Sequence, residues 1–188
     1  MVNWKELLKT AESVFSRLKL KHECTLKFQG DFIAKEIDPI TRQVRGVTTG
    51  QNIFIDIMAE ELVRYLTNLD TPSAAGNTTH MGIGSSATAE DHAQTALIAE
   101  YSTGGYARIA GTVSRQQESH TSKYKIFRMV AEFPAAGGAG ARGSVAEFGC
   151  VNGLAGIKWM NRGVLSPVRD NNNNALEITY NLTVSPAS

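Results

Sequence analysis

Cysteine is scarce in this chain. The 188 residues hold two, Cys24 and Cys150, far apart and in no Cys-x-x-Cys pair. Two cysteines in a chain of this size do not make a disulfide scaffold. Both are expected as buried or half-buried free thiols, in a protein made in a reducing cytosol. Long apolar runs are missing too. None reaches the ~18 residues that a membrane-spanning helix needs. Lys5, Glu6, Lys9 and Glu12 break up the opening residues, so they do not read as a signal peptide. Excess charge of one sign is also lacking, with 19 basic residues against 18 acidic ones. Phosphate binding needs clustered positive charge, so nucleic acid is not an expected partner, and neither is a membrane. The one basic stretch, Lys5, Lys9, Arg17, Lys19 and Lys21, reads as the solvated face of a helix. Aromatic residues make up 7% of the chain, which is little with which to line the cleft of a glycosidase.

Catalytic patterns are absent as well. The four histidines, His22, His80, His92 and His120, stand at no metal-ligand spacing. His80 and His92 flank a glycine motif, with Glu90 and Asp91 nearby. That motif, Gly82-Ile83-Gly84-Ser85-Ser86, lacks the lysine of a phosphate loop and the third glycine of a dinucleotide fingerprint. It reads as a backbone turn needing positive φ. No Gly-x-Ser-x-Gly elbow is present. Glu132 and Glu147 fall on strand-like stretches and could face each other as a carboxylate pair. Asn77-Thr78-Thr79 and Asn181-Leu182-Thr183 match the glycosylation pattern, but without a secretion signal they read as coincidences. The expectation is a protein that is not an enzyme and carries no cofactor and no metal.

What the chain does have is pattern. Trp4, Leu7, Leu8, Ala11, Val14, Phe15 and Leu18 recur at helical spacing, predicting an amphipathic helical arm over 1–24. From 25 to 188 the sequence reads as one β-rich domain. Thr25–Gly30 and Asp31–Ile37 are strand-like, Asp38-Pro39-Ile40-Thr41 is a turn, and Gln43–Thr48 returns as a partner strand. An internal helix is expected over Gln51–Leu69, near 52–69 of the domain, where Ile55, Met58, Ala59, Leu62, Val63 and Leu66 share a face. A short helix could lie in Thr88–Glu100, among alanines and acids. Tyr106–Ser114, Lys123–Phe133, Ser144–Val151 and Ile157–Leu165 read as strands. The last strand has the cleanest signal: Leu176, Ile178, Tyr180, Leu182 and Val184 alternate with polar residues. Such alternation belongs to antiparallel sheets with one wet face. The expected fold is mainly β with one or two helices, an antiparallel β-sandwich or jelly-roll-like domain carrying an N-terminal helix.

The order of several segments resembles a family of small structural proteins of tailed bacteriophages. The likeness runs from 30 to 184. It is carried by Gly30–Val44 around Asp38-Pro39-Ile40-Thr41, Asn52–Leu66, Met81–Thr88, Ala96–Glu100, Val145–Asn152, Met160–Val168 and the final strand. Arg42 stands where the family usually has glycine. The resemblance implies a virion component of head, neck or tail, assembled in the host cytoplasm. It also implies that Glu147 and Arg162, polar residues inside strand-like stretches, form an ion pair across strands.

On this reading the partners are further copies of the chain and other virion proteins, such as major capsid, portal, neck or tail proteins. Two docking elements are expected. One is the helix face of Trp4, Leu7, Leu8, Val14, Phe15 and Leu18. The other is the glycine-rich loop Ala135–Gly143, with Gly137, Gly138 and Gly140, ordered by a neighbour. The alternative is a carbohydrate- or receptor-binding module on a fibre or tail, with Tyr101, Tyr106 and Trp159 lining a groove.

Overall fold

The computed structural model describes residues 26–54, 78–101, 108–117, 125–135, 144–152, 159–170 and 173–186. These residues hold nine strands in chain order: β1 (Leu26–Ile37), β2 (Val44–Phe54), β3 (His80–Gly84), β4 (Ile109–Ala110), β5 (Thr112–Gln117), β6 (Lys125–Phe133), β7 (Ser144–Val151), β8 (Asn161–Asp170) and β9 (Ala175–Pro186). Every pairing between them is antiparallel. The domain is mainly β, and no helix occurs among the described residues.

The strands form two sheets. One runs β5-β6-β9-β1-β2 and the other β4-β3-β7-β8. They meet where the end of β2 pairs with the start of β8, Ile53 with Arg162 and Phe54 with Asn161. The alternation in β9 sets the inner face of the first sheet. Leu176, Ile178 and Tyr180 are buried together with Phe32 and Ala34 of β1 and Met129, Ala131 and Phe133 of β6. Met81, Ile83, Phe148, Cys150 and Leu165 of the second sheet belong to the same core. Phe32 and Phe148 meet edge to face across it, with ring centroids 4.9 Å apart. Burying one such ring contributes about 1.5–3 kcal/mol.

Several expectations need correction. Thr25–Gly30 and Asp31–Ile37 are not two strands. β1 runs through from Leu26 to Ile37, because it pairs with β9 without interruption. Gln51–Phe54, expected to open a helix, is strand. Its backbone pairs with β1 as far as Gly30↔Asn52 and then with β8. Local helical spacing loses there to ladder bonds on both sides. Residues 55–69 lie outside the described residues, as does the arm of 1–24. Thr88–Glu100 holds no helix but runs as an irregular segment over the second sheet. Gly82-Ile83-Gly84 is not a turn at positive φ. It is the body of β3, and its glycines answer a different need.

Candidate functional site

Among the described residues, Glu147 and Arg162 are the fully buried charged side chains of the second sheet. Their exposures are 0% and 1%. Glu147 sits opposite Val164 in the β7–β8 register, so Arg162 is its diagonal neighbour on the same face. Arg162 Nε lies 2.7 Å from Glu147 Oε2. The inner face of β7 is taken by Phe148 and Cys150. The pair therefore points the other way, under Ser85–Glu100.

The hydrogen bonds of the pair go to that segment. Arg162 Nη2 donates to the carbonyl of Thr88 at 2.9 Å and to that of Ser86 at 3.5 Å. Nη1 donates to Gln94 Oε1 at 3.2 Å and to the carbonyl of Ala89 at 3.4 Å. With Nε on Glu147, all five guanidinium N–H donors have acceptors. Glu147 accepts the backbone N–H of Ala99 at 2.7 Å and of Ile98 at 3.1 Å. Glu90 reaches down from the segment and accepts the N–H of Val164 at 2.7 Å. A buried charge pair costs desolvation, and it is tolerated only when its remaining donors and acceptors are satisfied. Here they are satisfied by main chain that has no ladder of its own.

The glycines make room for this cover. A methyl on Gly84 would lie 2.5 Å from both the Ala99 carbonyl oxygen and Glu147 Oε1. One on Gly149 would meet the Asn161 carbonyl at 2.6 Å, and one on Gly82 would meet the Trp159 ring at 2.7 Å. These glycines permit close approach rather than a turn. Beside them Leu97, Val151 and Trp159 form a small second core. Arg108 stacks over the Trp159 ring at 4.8 Å while bonding Glu100 with two nitrogens, at 2.7 and 3.1 Å. Trp159 is 2% exposed, so it offers no face to a sugar, contrary to the groove expected of it. Tyr101 is half-buried and donates its hydroxyl to the Ser144 carbonyl. Tyr106 lies outside the described residues.

Glu132 and Glu147 do not face each other. Glu147 is committed to Arg162, and Glu132 lies at the surface bonded to Arg42. Cys150 is buried and unpaired with another sulfur, and burial pushes its thiol well above the usual range. Burial likewise raises the Tyr180 phenol. Among the described residues no three His, Cys, Asp or Glu side chains gather as metal ligands. Also among them, no helix is long and apolar enough to cross a membrane. The expected docking residues Trp4, Leu7, Leu8, Val14, Phe15, Leu18, Gly137, Gly138 and Gly140 lie outside the described residues.

Sequence reasoning missed Gln94, Glu90 and the Arg108–Glu100 pair. For Arg162 a signal existed: a lone cation between Trp159-Met160 and Val164-Leu165 in a stretch read as strand. No family model, curated protein or solved structure matches the chain.

Proposed function

We propose that this protein is a non-enzymatic structural component of a tailed-phage virion. It assembles with its own copies and with neighbouring virion proteins, as a capsid decoration or cement protein or as a neck or tail component. Its domain is read as a β-sandwich of jelly-roll type. One observation supports this above others. Four of the segments that carry the family resemblance come together in space. Met81–Thr88, Ala96–Glu100, Val145–Asn152 and Met160–Val168 supply β3, the covering segment, β7 and β8, and with them both members of the buried ion pair. The buried Glu147–Arg162 pair is spent on fixing main chain, which suits a rigid building block.

Light scattering on the full chain tests the assembly role. The comparison is a Trp4→Ser, Phe15→Ser variant, which removes the two largest apolar side chains of the expected arm. An oligomer reduced to folded monomer in the variant supports assembly through the arm. A monomer in both sinks homo-oligomerisation as the role of the isolated chain.

A further inference from the structure

Ser85–Glu100 is neither helix nor strand up to its last residue, yet it lies closed over β7 and β8. The contrast with the neighbouring sheet is sharp. β1 and β9 are zipped by a continuous register from Leu26↔Pro186 to Ile37↔Ala175, which frays one pair at a time. The covering segment is tied down by side chains from below. Arg162 holds the carbonyls of Ser86, Thr88 and Ala89 and the side-chain amide of Gln94. Glu147 holds the N–H groups of Ile98 and Ala99. Between these two ends the segment bonds itself, Gln94 N–H to the Asp91 carbonyl and Ser85 N–H to the Ala99 carbonyl.

Because Arg162 and Glu147 are bonded to each other, neither end lets go alone. Lifting 86–89 alone takes the acceptors from three of the five guanidinium N–H donors, and lifting 98–99 alone takes both backbone donors from Glu147, so either step leaves the bonded charge pair part-satisfied under the rest of the cover. Lifting the whole segment admits water to both charges at once, so neither is left buried and unpaired. The partly lifted states are the costly ones, and the fully closed and fully open states are favoured over them. We propose that Ser85–Glu100 is a strap that opens and closes as one unit, with the Glu147–Arg162 pair as its latch. The open form leaves both sheets intact and uncovers Trp159 and Val151. It is a sub-global opening, below global unfolding in free energy. This inference does not depend on the virion reading.

Native-state amide hydrogen exchange on the full chain tests it. The reporters are the N–H groups of Ser85, Ile98, Ala99 and Tyr101, each bonded in the closed form. In the unmodified protein they are expected to share one opening rate, faster than the amides of β6 and β9. In Glu147→Gln the reporters are expected to speed up together, by about tenfold or more, since hydrogen bonds to a charged acceptor are the strong ones. The amides of β6 and β9 should change less. Should Glu147→Gln fail to fold, Gln94→Ala removes a single Arg162 bond and is expected to speed the same four amides by a common, smaller factor. Reporters that exchange at unrelated rates overturn the proposal. So do reporters that exchange only with β6 and β9 in the unmodified protein.

Discussion

Arg42 reaches across the fold to Glu132, its two terminal nitrogens lying 2.6 and 2.8 Å from the two carboxylate oxygens. The contact joins the β1–β2 turn to β6, past the start of β9. The φ of Arg42 is 58°, in the left-handed region. The turn before it is fixed by Asp38, whose Oδ1 accepts the N–H groups of Ile40 and Thr41 at 3.0 and 2.8 Å. Its other oxygen meets Arg45 at 2.7 Å.

These contacts set an acid dependence. The Arg45 side-chain bond, then the Thr41 and Ile40 backbone bonds, hold the Asp38 carboxyl well below the usual range. The Arg42 bond lowers the Glu132 carboxyl. A depressed folded pKa stabilises above the unfolded value, near 4 for a carboxylate, and that stability is lost as pH falls through the folded value. Asp38→Asn keeps an oxygen for the two N–H groups but removes the charge. Its thermal midpoint is expected to fall below the parent's at neutral pH, with the gap closing under acid. A gap independent of pH from about 7 to about 2 would refute the ion-pair account.

The Arg42–Glu132 pair is open to solvent, with side-chain exposures of 55% and 39%. Salt screens such pairs, so its contribution is small. Arg42→Gly loses the pair but relieves the left-handed backbone, and the two effects oppose each other. Glu132→Gln loses the pair alone. Glu132→Gln is therefore expected to lower the melting midpoint more than Arg42→Gly, with the pair's share of both losses shrinking in molar salt while the difference between the two variants persists. Calorimetry at low and high salt checks the order.

The glycine contacts predict a graded series. Alanine at Gly149 would press on the Asn161 carbonyl, backbone that cannot step aside. Its cost is expected at about 2–3 kcal/mol, the upper part of the range for overpacked sites. Alanine at Gly46 would meet the guanidinium of Arg169, the far end of a flexible chain. That cost is expected below about 1 kcal/mol. Urea unfolding of the two variants measures both, and equal losses would remove the close-approach explanation for β7.

Legibility in the sequence followed the range of the forces involved. β9 was plain because one face is core from Leu176 to Leu182, so period two is written into the residue types. β7 was also readable, over Ser144–Val151. The end of β2 was not. Gln51–Phe54 shares helical spacing with Ile55, Met58 and Leu62 in the sequence, and only its partners in β1 and β8 make it strand. Thr88–Glu100 has a helix former's composition, but its carbonyls at Thr88 and Ala89 are taken by Arg162, more than seventy positions away. Glycines 82 and 84 signal conformational freedom in any sequence. That they serve close approach depends on Ala99, Glu147 and Trp159, which only the fold brings near.

Cys150 supplies a prediction about access rather than energy. Its side chain is fully buried in the shared core, and burial disfavours the thiolate that alkylating reagents need. It lies on the inner face of β7, whereas the strap covers the outer face. Opening the strap therefore leaves it shielded by the first sheet. Iodoacetamide labelling of the Cys150 peptide, read by mass spectrometry, is expected to track global unfolding and to stay slow while the strap amides exchange. In Glu147→Gln, strap exchange should accelerate far more than Cys150 labelling. If the two accelerate equally, the two faces of β7 are not separate, and opening over Glu147 loosens the core itself.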